Sequence, residues 1–232
     1  MEMIDTTELI TNSRLEIEYA GEQLGPEGPG VALLRNFIKP DLVHALYVEL
    51  VTNRLWSRPD EYFANRPNVV QDYEKIALIL SHGDQSVVDA EMPSIRPLIR
   101  TVGKFALGLE PTLPALSDWF PNDIDCHRYP GNGMGLGKHK DYPRNPKLIA
   151  IANVAGSGVF GFDDERLEVT PGDMLLMRAP NLFEADADMR PVHWFMPSEE
   201  ERICVVLRQD NHPHATKPYD GSYDNWPYQF SG

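Results

Sequence analysis

Cysteine is scarce. Cys126 and Cys204 are the only two in 232 residues, too few for a disulfide framework. Both fall in strand-like stretches and are expected as buried thiols, not as a bridge. No apolar run approaches the roughly 18 residues that a membrane-spanning helix needs. The N-terminal MEMIDTTELI lacks the basic-then-apolar order of a secretory leader. A reducing, cytoplasmic setting is the expectation. Basic residues are also few: 21 Lys and Arg stand against 35 Asp and Glu, for a formal net charge of −14. Such a chain repels phosphate backbones at long range, so nucleic acid is disfavoured as a partner. A local basic groove from Arg96 and Arg100, or from Lys138, Lys140, Arg144 and Lys147, stays open.

What is present is ordinary for a globular chain: 42% apolar and 24% charged residues. The length suits one domain with a sizeable core, residues 1–232. Against that background His139-Lys140-Asp141 stands out. Its two metal-ligand side chains sit at i and i+2, which on a strand point to one face. A third imidazole, His193, comes 52 residues after the Asp. Soon after it runs Arg202-Ile-Cys-Val-Val-Leu-Arg208, a strand-like stretch with arginine at both ends. Two His and one carboxylate are the donors of a non-haem Fe(II) site, and guanidinium groups suit an anionic co-substrate. H-x-D by itself is a weak signal. Taken singly, His139 reads equally as a surface histidine between two lysines, and Asp141 as a turn residue before Tyr142-Pro143.

The stretch HRYPGNGMGLGKHKD, then His193, then RICVVLR, resembles the Fe(II)- and 2-oxoglutarate-dependent dioxygenases, and within them the AlkB-like branch. The likeness spans about residues 120–210. It rests on Arg-Tyr shortly before H-x-D and on the Arg-x5-Arg spacing. The resemblance implies a double-stranded β-helix (jelly roll, cupin-like) with His139, Asp141 and His193 on Fe(II), and 2-oxoglutarate and O2 as co-substrates. It implies that Arg202 holds the distal carboxylate of 2-oxoglutarate and that Arg208 helps at the metal-side end. Tyr129, beside His127, is implied as a hydroxyl donor to the same molecule. Three features depart from the family pattern. Cys204 stands where relatives often carry a hydroxyl or amide. His127 stands where the branch often has Asn. Only nine residues separate His193 from Arg202.

The arginine strand also passes a length check. Arg202, Cys204, Val206 and Arg208 share a face by period 2, over roughly 20 Å. Two inward-leaning guanidiniums leave a gap of about 6–8 Å, near the length of a five-carbon dicarboxylate.

Along the chain, residues 1–30 read as an irregular lead-in closing on Gly25-Pro-Glu-Gly-Pro-Gly30. Val31–Leu34 is a strand candidate. Apolar spacing predicts helices from Asp41 to Val51 and from Pro93 to Leu109. Residues 53–92, with Trp56, Tyr62, Phe63 and Tyr73 among polar residues and prolines, read as a lid or a packed loop. Residues 31–122 together form helical support with this possible lid. From Asp123 to Asp210 the pattern is short strands with Gly, Pro and Asp turns: 124–129, 148–154, 158–162, 166–169, 173–178, 191–196 and 202–208. The expected class is mainly β, a jelly-roll core braced by N-terminal helices. Residues 211–232 carry Tyr219, Tyr223, Trp226, Tyr228 and Phe230 and read as an aromatic strap. His212 and His214 lack a third partner.

The expected activity is hydroxylation or oxidative demethylation of a small molecule, with release of succinate and CO2. The alternatives are AlkB-like dealkylation of nucleic acid and a non-catalytic metal-binding jelly roll. Asp141 occupies the position that related halogenases leave open for chloride, which argues against chlorination. Pro143 stands where the bacterial repair enzyme has an acid that reads its base. Met134, Leu136, Tyr142, Arg144 and Trp194 are the candidate substrate-pocket residues.

Overall fold

The structure, a computed structural model, describes residues 14–58, 71–80, 84–141, 145–183 and 188–210. Among these residues, ten antiparallel strands form two sheets. The first six in chain order are β1 (Val31–Leu34), β2 (Glu74–Ile79), β3 (Asp123–Tyr129), β4 (Leu136–His139), β5 (Leu148–Ala155) and β6 (Gly158–Phe162). Then follow β7 (Glu165–Val169), β8 (Met174–Arg178), β9 (His193–Pro197) and β10 (Arg202–Arg208). The major sheet runs β1-β8-β5-β10-β3-β2 and the minor sheet β4-β9-β6-β7. The non-sequential strand orders across two facing sheets are those of a double-stranded β-helix.

Helices cover the outer face of the major sheet. They are α1 (Arg14–Leu24), α2 (Pro40–Val51), α3 (Gln85–Glu91) and α4 (Ile95–Gly108). On α2, Leu42, Leu46 and Leu50 recur every four residues and are buried. On α4 the buried set includes Ile95, Leu98, Ile99, Val102, Phe105 and Ala106. Phe37 meets Phe105 edge to face, and Trp119 donates its indole N–H to the Leu148 carbonyl at 2.9 Å.

The β10 strand shows how one sequence serves two layers. Ile203, Val205 and Leu207 point into the helix-side core. Cys204 and Val206 point between the sheets, beside Tyr129, Phe160 and Phe195. Both faces are covered, so period-2 alternation here separates two buried layers instead of core from solvent. Cys126 and Cys204 lie on opposite sides of the major sheet, both buried and unbridged.

Four expectations change. The lead-in contains α1, whose Ala20 and Leu24 are buried while Leu15 is 73% exposed. Its apolar stripe is too thin to read as periodic. The 53–92 segment contains β2 and α3, and β2 is an edge strand of the major sheet. Trp56 donates to the Leu50 carbonyl at 2.9 Å and Tyr73 is buried, so both pack into the body. Tyr62 and Phe63 lie outside the described residues, as do the aromatic strap, His212 and His214. A strand missing from the expected set, β4, leads into the metal-ligand pair. It ends at His139, so Asp141 lies beyond the strand and not on it.

The Gly-rich approach to β4 is shaped by a close crossing. Gly135 has φ +67°, and a Cβ there would lie 2.1 Å from the Phe195 carbonyl oxygen. Asp72 secures this stretch through its backbone N–H to Gly135 and its carboxylate to the Met134 N–H, both at 2.8 Å. Among the described residues, no helix is long and apolar enough to cross a membrane.

Candidate metal centre

β4 and β9 pair antiparallel with His139 directly opposite His193. That register brings the two rings to 4.2 Å between centroids. Asp141 closes the triangle. Its Oδ1 lies 3.8 Å from His139 Nε2, and its Oδ2 lies 3.4 Å from His193 Nε2. The three donor atoms lie within 4.8 Å of one another. Adjacent donors around a first-row metal are about 3 Å apart when each bond is roughly 2.1 Å, so a small closure suffices.

The ring orientations fit the same task. His139 Nδ1 contacts the Gly137 carbonyl at 2.8 Å, and His193 Nδ1 contacts the Pro191 carbonyl at 3.3 Å. A carbonyl only accepts, so each Nδ1 carries a ring proton and each Nε2 is the nitrogen left facing inward, available to a metal. Phe160 stacks on His193 at 5.5 Å and 19°. Burial raises the Asp141 carboxyl, but His193, His139 and Arg208 together outweigh it and hold it below its ordinary range. The carboxylate is therefore ionised, as a metal ligand must be.

The backbone at Asp141 is tied down from outside. Arg190 donates to the Asp141 carbonyl oxygen and grips Asp188 at 2.7 and 2.8 Å. Lys140 reaches the same Asp188 at 2.9 Å. This knot joins the exit of β4 to the approach of β9.

A small cavity of about 50 Å³ opens beside the triad, between the sheets. It brings together His127, Tyr129, Leu136, Cys204, Arg202 and Arg208 with the three metal-ligand candidates. Arg202 is 4% exposed. Its Nε donates to Asn153 Oδ1 at 2.6 Å, and its guanidinium lies 3.8 Å from the Phe195 ring centre. The Asn153 amide nitrogen in turn donates to the Gly156 carbonyl at 2.8 Å, which fixes the side chain's orientation.

Arg208 sits differently. Its guanidinium pairs with Asp125 and, at 3.4 Å, with Asp123. Burial opposes the Asp125 carboxylate, but Arg208 and His127 overcome it and hold the group well below the usual carboxylate range. Burial pushes His127 down, so its ring is neutral near pH 7. Its Nδ1 is hydrogen-bonded to the Tyr129 hydroxyl at 3.2 Å. Tyr73 packs on His127 at 4.5 Å, and burial, reinforced by Asp125, raises its phenol.

Of the substrate-pocket candidates, Leu136 lines the cavity. Met134 is 71% exposed. Trp194 faces outward from the minor sheet, lying flat over Gly161 and under Arg166. Period 2 on β9 forces this, because His193 and Phe195 point inward. Tyr142 and Arg144 lie outside the described residues. Asp125, Asn153 and Arg190 belong to the site or its support and were not singled out from sequence, and Tyr73, read there only as part of a lid or packed loop, packs on His127. A larger groove of about 660 Å³ lies elsewhere, between α2 and the turns at Gly156 and Pro171, and holds none of the metal-ligand candidates.

Asn153 gives a first expected result. Asn153→Ala removes a hydrogen bond to a charged group, which is worth about 1.5–3 kcal/mol. An anionic ligand held by Arg202 should then bind about 10- to 100-fold more weakly, with metal affinity unchanged by titration calorimetry.

No family model matches the sequence, and no curated protein matches it. Solved structures do. A Trichoplax adhaerens prolyl hydroxylase, solved with a peptide of a hypoxia-inducible factor, superposes with TM-score 0.60 at 14% identity, over 88% of this chain and 96% of that one. A viral collagen prolyl hydroxylase from Paramecium bursaria Chlorella virus-1, solved with 2-oxoglutarate, gives 0.56 at 11%, over 77% and 94%. The non-haem α-ketoglutarate-dependent epimerase SnoN of nogalamycin biosynthesis gives 0.56 at 12%, over 84% and 83%. The chain therefore has the double-stranded β-helix fold that the Fe(II)- and 2-oxoglutarate-dependent oxygenases share.

Proposed function

We propose that this protein is an Fe(II)- and 2-oxoglutarate-dependent oxygenase that hydroxylates or oxidatively demethylates a small molecule. The observation that carries the reading is Arg202. It is a buried guanidinium whose polar partners are the neutral Asn153 amide and the Cys204 thiol, with no ion pair to a carboxylate among the described residues. A buried cation without a counter-charge is costly, and a bound carboxylate removes that cost. It shares its cavity with two imidazoles and an ionised carboxylate whose donor atoms already converge.

Each residue then has a task. His139, Asp141 and His193 would hold Fe(II) through two imidazoles and one carboxylate. When bound, the metal and co-substrate supply the oxidising chemistry and release succinate and CO2. Arg202 fixes the distal carboxylate, and the Phe195 face beneath it keeps the guanidinium flat and dry. Phe160 and Ile151 close the cavity wall against water. The Tyr129 hydroxyl is engaged by His127, so the pair presents a polar edge to the co-substrate instead of a free phenol.

The preference for a small molecule rests on the −14 net charge and the narrow cavity. The AlkB-like assignment within the superfamily rests on sequence spacing alone. Retention of His139, Asp141, His193 and Arg202 in one cavity argues for turnover over a purely structural role. The test is succinate release from 2-oxoglutarate, screened over amino acids, prolyl peptides, nucleotides and methylated oligonucleotides. The expected outcome is stimulation by a small-molecule class. No visible Fe(II)–2-oxoglutarate charge-transfer band in folded, anaerobic protein would remove the enzyme reading.

A further inference from the structure

Two arginines face the cavity from β10, six residues and about 20 Å of strand apart. A dicarboxylate gripped by the wrong one would present the wrong end to the metal. The two are not equivalent. Arg202 bonds to a neutral amide. Arg208 faces two carboxylates, Asp125 and Asp123.

This arrangement is written into the sheet register. β10 pairs with β3 so that Arg208 stands opposite Asp123 and Val206 opposite Asp125. Alternation along Asp123-Ile-Asp-Cys-His127 puts both acids on the inter-sheet face with His127. Asn145 secures Asp123 through its amide nitrogen at 2.8 Å. Asp125 Oδ2 also lies 3.9 Å from His127 Nε2.

Resting on the oxygenase reading above, we propose that Asp125 and Asp123 quench Arg208 as an anion site. The co-substrate dicarboxylate is thereby directed to Arg202 in one polarity. An incoming carboxylate at Arg208 meets one cation and two fixed anions, so repulsion outweighs attraction. At Arg202 it meets a cation alone. Asp125 is thus a positioning residue that acts through Arg208. The Arg208 Nε, buried and without a hydrogen-bond partner among the described residues, is left as a donor whose charge the two carboxylates outweigh.

The test reads anion binding directly. The probes are inorganic sulfate on metal-free protein and N-oxalylglycine on Mn(II)-loaded protein, both by titration calorimetry. Wild type should bind one N-oxalylglycine per chain and sulfate weakly. Asp125→Asn should bind sulfate at least about tenfold more tightly, because the net negative charge of the Arg208 cluster is lost and the guanidinium is freed from its nearer carboxylate, leaving only Asp123 against it, and excess N-oxalylglycine should fill a second site. A purely structural role for Asp125 predicts no gain. The double variant Asp125→Asn with Arg208→Gln removes both charges and guards against a misfolded single variant. It should bind one N-oxalylglycine within about threefold of wild type. Unchanged sulfate affinity in folded Asp125→Asn overturns the proposal. So does a loss beyond about tenfold in the double variant, which makes Arg208 an anchor. Failure of wild type to bind N-oxalylglycine at all removes the oxygenase reading itself, and the proposal with it.

Discussion

Arg202→Met should weaken 2-oxoglutarate binding by at least about 100-fold while leaving Mn(II) affinity intact. Removing one partner of a buried, hydrogen-bonded charge pair costs about 3–5 kcal/mol, and 1.4 kcal/mol is a factor of ten. Arg202 is held by Asn153 and lies against Phe195 and Tyr129, none of them a metal-ligand candidate, so the metal site should be spared. Arg202→Lys should recover only part of the loss. An ammonium neither forks to a carboxylate nor lies flat on Phe195. Stability should move the other way. Ligand-free wild type buries Arg202 against a neutral amide, so Arg202→Met should melt no lower than wild type, and higher if methionine packs well on Phe195 and Tyr129. Weaker binding together with equal or greater stability marks a residue kept for a ligand. Unchanged 2-oxoglutarate affinity in this variant moves the anchor to Arg208 and reverses the polarity argued above.

Much of this site was legible because its parts lie on regular strands. His193 and RICVVLR carry their geometry in period 2, whereas Asp141 reaches His139 and His193 from beyond the end of β4. β10 runs from Arg202 to Arg208 as the spacing predicts, and β6 from Gly158 to Phe162. Other parts were hidden by context. Asn153 is one polar residue in the apolar run Leu148–Ala155, and its role exists only because Cys204 pairs opposite it. Asp125 had a usable signal, since alternation from Asp123 to Tyr129 puts it on the face of His127. What spacing does not reveal is that Arg208 lies across from it, which is a matter of register. β2 was obscured by its neighbours: Glu74 and Lys75 are polar, and an edge strand has a weaker apolar pattern than a central one. Trp194 was misdirected by adjacency to His193, because neighbours on a strand face opposite ways.

Asp141→Ala should abolish metal binding as well as turnover. Without the carboxylate, two imidazoles with ring centres 4.2 Å apart remain, a two-donor site with no anionic ligand. Changing a mere supporting partner of a ligand typically costs 10- to 100-fold in metal affinity, so loss of a direct ligand should exceed about 100-fold. The fold should survive. Arg190 holds Asp141 by its backbone carbonyl, and the grip on Asp188 does not involve the lost side chain. The measurement is thermal unfolding with and without Mn(II). A ligand at 100 times its dissociation constant stabilises the native state by about 2.7 kcal/mol, so wild type should melt several degrees higher with metal. Asp141→Ala should show no shift at the same metal concentration, and metal-free melting should be close to wild type. Asp141→Glu separates charge from reach: the charge stays, but the added methylene displaces the oxygens from the point where both Nε2 atoms converge. Its metal-linked shift should be smaller than that of wild type and larger than that of the alanine variant. A full shift in Asp141→Ala would mean that the carboxylate is no ligand, and that the convergence of His139, Asp141 and His193 is packing without a metal.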